Sequence, residues 1–346
     1  MVNWPFILKL NIVLAILTAL ALLSPFISPG IFWLFGFLSY GIPLMLFINA
    51  GFATWWIFKK SKYALISLVL LLTGGIYLNR VFVFHQNSNG AGHRDLKVLS
   101  YNVRYFNAGQ DSRRKSEAGL SQMVGEISQL QSHIMCFQEF YNNDRSSFAN
   151  TKDYFLKKGY KNFQFGDINI ANKNNAGLAI FSRLPMVRKG DVTFGTGHGN
   201  KAIFTDLVYD ADTIRVYNVH FHSLSLSEDP GLLQLFGQLK YGFSVRPTEV
   251  DKLIAHIGAA PYPVILCGDF NDLPFSYTYQ QFNGFLQNSF EKAGQGFGWT
   301  YNGKIPFVRI DNQFSDLRFT VSDHKVLKDF SYTDHFPILV AYKFPL

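Results

Sequence analysis

The sequence predicts a mixed α/β or α+β sheet sandwich, preceded by an all-α transmembrane anchor. Three observations carry this expectation. Acidic residues are absent from the first 92 positions, which hold three long apolar runs. Beyond them, short β-type runs and helical segments alternate, but several strands follow one another with no helix between, which disfavours a purely doubly wound fold. Finally, polar residues able to bind metal recur where apolar strands stop, the edge at which α/β sheets place ligands.

The 346 residues suffice for two ordinary domains, and the composition is uneven. Charged residues make up 16% of the chain, against roughly 25% in soluble domains. Lys9, Lys59, Lys60, Lys62 and Arg80 supply +5 of the +8 formal charge, so residues 93–346 carry only +3. This composition argues against intrinsic disorder, a collagen-like chain and a disulfide scaffold. It also weakens a nucleic-acid reading of the basic charge, because lysines flanking apolar runs act as topology signals. Cys136 and Cys267 both lie in apolar runs and read as core residues.

The anchor is expected over residues 1–84, as spans near Phe6–Phe26, Ile31–Phe58 and Tyr63–Phe84. Trp4, Trp33, Trp55, Trp56 and Tyr63 fall near their ends, where aromatic belts form. A cleaved leader does not fit, since two further apolar runs follow the first. The second run contains Gly36, Gly41, Pro43 and Gly51, which suits a broken or tilted helix. With three spans and the Lys59–Lys62 loop in the cytoplasm, the carboxy-terminal domain lies outside. Residues 85–95, rich in Gly, Asn and Ser, read as a linker, and 96–346 as the domain.

Strands are expected at Leu96–Tyr101, Ile134–Phe137, Leu178–Ser182, Ala202–Val208, Ile214–Val219, Val264–Cys267 and Ile338–Tyr342. Helices are expected at Ser116–Gln131 and Thr248–Ile257. Asn102 ends the first strand and Glu139 follows the second. His220 ends the strand VYNVH, Asp269 and Asn271 end VILCGDFND, and Asp334-His335 precede the last strand. A hard cation such as Mg²⁺ takes oxygen ligands, usually one or two carboxylates with waters and a substrate phosphate. Glu139, Asp269 and the amides of Asn102 or Asn271 offer that chemistry. His335 suits a general base and His220 a phosphate donor. His222 reads as auxiliary or structural, and His198 and His324, lacking supporting context, as surface residues.

The ordered set SYNVR, QE, GLAIFSRLP, NVHFHS, GDFND, RID and TDHFP, spread over 96–346, resembles the endonuclease/exonuclease/phosphatase superfamily. The likeness is to a membrane-anchored bacterial type with a deoxyribonuclease- or sphingomyelinase-like fold. It implies a four-layer α/β sandwich with two central mixed sheets and a divalent metal, Mg²⁺ or Mn²⁺, at their shared edge. By the resemblance, Glu139 is the principal metal ligand, with Asn102 and Asp334 beside it. Asp269 orients or deprotonates the attacking water, and Asn271 and Asn102 bind the phosphate. His335 pairs with Asp311, and His220 contacts the phosphate or donates a proton. Arg104 stands where abasic-site endonucleases carry Asp, which disfavours a two-metal or abasic-site-specific enzyme.

The expected location is the bacterial inner membrane, as a multi-pass protein with an extracytoplasmic domain. The expected partners are the lipid bilayer and a phosphoester substrate, lipid or nucleic acid, with no obligatory protein partner. The apolar segment Ser223–Phe243 reads either as a rim facing lipid or as an amphipathic helix packed on its own domain. Three functions stay open: a phosphodiesterase or phosphatase for a lipid or other extracytoplasmic phosphoester, a membrane-anchored nuclease, and an inert binding or scaffold module.

Overall fold

The computed structural model of the chain describes residues 4–85, 92, 95–107, 113–143, 150–167, 176–196, 200–224 and 231–344. Two six-stranded sheets form its centre. The first runs, in spatial order, Thr320–Val326, Ile338–Lys343, Leu96–Asn102, Ile134–Tyr141, Ala176–Ser182 and Asn162–Asp167. The second runs Gln287–Asn288, Asp311–Ser315, Val264–Asp269, Asp212–His220, Lys201–Tyr209 and Met186–Thr193. Both are mixed: Leu96–Asn102 pairs parallel with Ile134–Tyr141, and Asp212–His220 parallel with Val264–Asp269, while the other pairs are antiparallel.

The layering follows from which side chains each sheet buries. Val98, Ile134, Cys136 and Ile180 of the first sheet meet Ile203, Ile214, Val216, Ile265 and Cys267 of the second in one core. The outer face of the first sheet buries Leu99, Met135, Phe137 and Phe181 against the helices Arg113–Gln129 and Thr151–Lys157. The outer face of the second buries Phe204, Tyr217, Val219 and Leu266 against Leu232–Gly258 and Tyr277–Asn283. A strand buried on both faces loses simple alternation and becomes a continuous apolar run, which is why the central strands were visible in the sequence. The result is a four-layer sandwich. Both cysteines are free and buried in the middle core.

The amino-terminal part corrects the expected span count. Among the described residues only Pro5–Phe26 is a single helix long and apolar enough to cross a bilayer. The second run breaks into Leu34–Tyr40 and Ile42–Phe58, bent by 56°. Pro43 sits in the first turn of the new helix, where its missing N–H costs nothing, but it cannot continue the preceding one. The third is shorter still, α-helical over Ala64–Gly74 and 3₁₀ over Gly75–Arg80. Polar side chains tie these helices together: Asn11 donates to Ser67 Oγ (2.9 Å) and accepts from Trp56 Nε1 (3.0 Å), and Asn49 donates to Thr18 Oγ1 (2.8 Å).

The bundle also packs on the sandwich. Phe82–Phe84 pairs with Gln295–Phe297 as a two-stranded ribbon. Arg309 donates to the Arg80 carbonyl (2.8 Å). Helix Leu34–Tyr40 approaches helix Leu232–Gly258 closely because Gly36 has no Cβ, which would come within 2.5 Å of the Phe243 ring. That long helix absorbs both the expected Thr248–Ile257 and the second half of Ser223–Phe243. Residues 225–230 and His198 lie outside the described residues. His324 is a correction, since it is buried at 7% exposure against Phe290, with Nδ1 2.9 Å from Ser289 Oγ. Its neighbours in sequence are polar because Thr320–Val326 is an edge strand, so nothing local signals the burial.

Candidate active site

Strand register assembles the site. In the second sheet Asp269 pairs with His220 on one side and Asp311 on the other, so the three stand in one row. In the first sheet Asn102 pairs with Gln138, and the register slips between Phe137 and Phe140. Glu139 sits in that bulge with φ of 50°, and a bulge re-aims the side chain it carries. Arg104 and Asn271 have φ of 44° and 49°. Non-glycine residues in the left-handed region cost about 1–3 kcal/mol each and persist where surrounding contacts over-determine them.

The two sheet edges meet through Asn102. Its Nδ2 donates to Asp269 Oδ2 (3.0 Å) and Glu139 Oε1 (3.3 Å), while Oδ1 accepts the Arg104 N–H (3.1 Å). A backbone N–H can only donate, so this contact sets the amide orientation. Asp269 Oδ1 accepts the Asn271 N–H (2.8 Å). His220 Nε2 lies 3.6 Å from Asp269 Oδ2 and 3.9 Å from Glu139 Oε1. His335 Nδ1 is 3.0 and 3.1 Å from the two Asp311 oxygens, and its Nε2 is 3.8 Å from Asp269 Oδ2. Asp334 lines the same cleft, its Oδ2 3.4 Å from Arg104 Nη1. Asn271 also lines the cleft and donates to the Phe221 carbonyl (3.0 Å).

All eight residues named from the sequence therefore lie at one end of the two sheets. His222 stands apart, its backbone N–H held by Glu249 (2.8 Å) and its carbonyl by Arg246 (3.0 Å). Burial pulls the His335 imidazole toward neutrality, but the Asp311, Asp269 and Asp334 carboxylates outweigh it and raise its pKa to about 10. The convergence of three carboxylates thus favours the protonated form of His335, whose Nδ1 faces Asp311 and whose Nε2 faces Asp269. Asp269, Asp311 and His335 have metal-ligand spacing, their ligand atoms lying within 4.8 Å of one another. Glu139 and Asp334 line the same cleft as Asp269 and add carboxylate oxygens, the donor type a hard divalent cation takes.

The cleft, of about 350 Å³, has an apolar wall of Leu224, Leu273, Ile305, Val308 and Ile310, with Lys304 and Arg104 as cations. Several supporting residues escaped sequence reasoning. Asn218 bridges the sheets, donating to the Phe137 and Ala179 carbonyls and accepting from Gln138 Nε2 (2.6 Å). Its signal was an amide inside the apolar run VYNVHF. Thr300 Oγ1 accepts the Asp311 N–H (3.0 Å), and Tyr301 packs edge-on against His335. Neither belongs to a regular strand. Tyr40, from the amino-terminal bundle, also lines the cleft. It is 229 positions from Asp269 in the chain, and only tertiary packing brings the two together.

Solved structures share this fold. An endonuclease/exonuclease/phosphatase from Beutenbergia cavernae is 17% identical, with a TM-score of 0.54 over 73% of this chain and 72% of that one. The human Nocturnin catalytic domain with bound sulfate anion is 18% identical, at 0.54 over 73% and 94%. A mannosyl-6-phosphatase from Bacteroides thetaiotaomicron is 21% identical, at 0.53 over 72% and 100%. A search of curated proteins returns no match. Residues 5–81 match a domain of unknown function (DUF8431). Residues 99–335 match the Endonuclease/Exonuclease/phosphatase family. With that match spanning most of the chain, and with the sandwich and its strand-end cluster in hand, the protein belongs to the Endonuclease/Exonuclease/phosphatase family.

Proposed function

We propose that the protein is a membrane-anchored, divalent-metal-dependent phosphoesterase that hydrolyses its substrate with an activated water. The carrying observation is the row His220–Asp269–Asp311 facing Asn102 and Glu139 at an open cleft, with His335 between two of its carboxylates. Glu139 and Asp334 would hold Mg²⁺ or Mn²⁺, with Asn102 steering Glu139. Such an ion supplies Lewis-acid charge to a phosphoryl oxygen and acidifies water. Asp269 orients and deprotonates the attacking water. Protonated His335, oriented by Asp311, donates a hydrogen bond to the phosphoryl oxygens as their charge grows. Asn271, Asn102 and His220 position the phosphate.

The membrane reading is supported by the bundle's inverted polarity. Asn11, Thr18, Asn49 and Ser67 are wholly buried, while Phe47, Phe58, Leu72 and Ile76 are each more than 60% exposed. Polar residues at helix contacts and apolar residues facing outward suit lipid rather than water. Lys59, Lys60 and Lys62 lie in the turn between helices Ile42–Phe58 and Ala64–Gly74, and Tyr40 and Arg80, just beyond the far ends of these helices, carry contacts to the sandwich. Under the positive-inside rule the catalytic domain then lies across the membrane from this turn, outside the cytoplasm. The apolar cleft wall beside the bundle favours a phosphoester presented at the membrane surface, a phospholipid above all.

The test is the detergent-solubilised full chain assayed with Mg²⁺ or Mn²⁺ on phospholipids, sphingolipids, sugar phosphates and nucleic acids. Turnover on one class is expected. It should stop on chelation and fall about 10²–10⁴-fold in Asp269→Asn. Turnover confined to nucleic acid would replace the lipid reading with the nuclease one. Absence of metal-dependent turnover on every class would overturn the enzyme assignment.

A further inference from the structure

We propose that the amino-terminal bundle is part of the catalytic machinery, and that Tyr40 is a positioning residue for the loop following Asp269. This rests on the phosphoesterase reading but concerns contacts outside the strand-end cluster. The loop Phe270–Phe275 leaves the strand that ends at Asp269 and passes through Asn271 in the left-handed region. A short turn with a strained non-glycine residue needs contacts from outside itself to hold it.

The bundle supplies these contacts at three points. The Tyr40 hydroxyl donates to Asp272 Oδ1 at 2.8 Å. Arg80 Nη1 donates to the Pro274 carbonyl at 3.0 Å. Tyr77 packs edge-on against Phe275, ring centroids 6.0 Å apart.

Asp272 is the junction. It is 5% exposed, and its Oδ1 also accepts the Leu273 N–H (3.0 Å). Its Oδ2 forms an ion pair with Arg246 Nη1 at 2.8 Å. Arg246, 1% exposed, donates in turn to the His222 carbonyl, two residues beyond His220. One buried carboxylate thus joins the bundle, the loop carrying Asn271 and the segment leaving His220. A buried carboxylate needs its donors, and loss of one lets the group move to find another. Tyr40 also packs edge-on against Phe243, with ring centroids 5.3 Å apart. Tyr40→Phe keeps that packing and removes only the hydroxyl.

The experiment uses the full chain, with Tyr40→Phe and Asp272→Asn singly and together, and kcat and KM on whichever phosphoester the unmodified chain hydrolyses. Tyr40→Phe should lower kcat about tenfold with KM little changed, and Asp272→Asn at least as much. The double variant should resemble Asp272→Asn alone, because both changes act through one carboxylate. Tyr63→Phe, in the turn at the bundle's far end, should retain full activity. Hydrogen exchange over 269–276 provides a readout independent of turnover, and protection there should fall about tenfold in Tyr40→Phe with the rest of the sandwich unaffected. Unchanged kcat in Tyr40→Phe, or effects of the two changes that simply multiply, would overturn the inference. So would unchanged protection over 269–276, even if the chain hydrolyses nothing tested.

Discussion

Two buried histidines show how the same side chain is shifted in opposite directions by its surroundings. His335 sits between Asp311 and Asp269, whose carboxylates push its pKa up to about 10. His324 faces Ser289 and the Phe290 ring, and burial, aided by the nearby Arg309 charge, lowers its pKa to about 3. In the unfolded chain His324 returns to a pKa near 6.5. The unfolded state therefore takes up a proton between about pH 6.5 and 3 that the folded state refuses. Its contribution to stability is complete above pH 6.5 and is lost as the pH falls through that window. The loss is at most about 1.4 kcal/mol per pH unit. Denaturant melts of the full chain at pH 7, 6, 5 and 4 should show it, and His324→Asn, which keeps a partner for Ser289, should have a flatter profile. Identical slopes in both proteins would disprove this account.

At the scale of elements, the site depends on how closely two parallel strands approach. A Cβ on Gly268 would stand 2.1 Å from the Val219 carbonyl oxygen, with the strand backbone and not a flexible side chain in the way. Gly268→Ala must push Asp212–His220 away from Val264–Asp269, and His220 and Asp269 are paired at that end. We expect kcat to fall at least tenfold and stability by about 1–3 kcal/mol, the usual range for overpacking. Steady-state kinetics with a melt of the same variant would check it, and wild-type values in both would refute it. The elements also mark what the residue pattern conceals. Asp311–Ser315 reads DNQFS yet is buried throughout, because Gln313 donates to the Val98 and Ile338 carbonyls and accepts from Tyr342. Met186–Thr193 and Thr320–Val326 escaped notice for a different reason, being edge strands with exposed charged faces.

At the scale of the whole molecule, the bundle and the sandwich form one packed unit. Composition suggested two parts joined by a linker, whereas Tyr40, Tyr77, Arg80 and Phe82–Phe84 dock the bundle directly on the sandwich. On the proposed membrane reading, docking of this kind would keep the cleft at the bilayer surface and fix which way it faces. An alkaline-phosphatase fusion after residue 92 should be active and a cytoplasmic reporter at the same point silent. The reverse pattern would put the catalytic domain in the cytoplasm. Exchanging Lys59, Lys60 and Lys62 for Gln should weaken the orientation, since these lysines carry most of the bundle's charge.

By itself, the sequence determined the family, the sandwich and the identity of the eight strand-end residues. Each of those is written locally, as an apolar run interrupted by a carboxylate, amide or imidazole. Tertiary structure alone decided the rest. The protonation of His335 depends on three carboxylates converging from separate strands and loops. The break at Gly41–Pro43 depends on helix packing as well as proline. The entry of Tyr40 into the catalytic cleft has no local trace at all, because it arises where two separately legible halves of the chain come into contact.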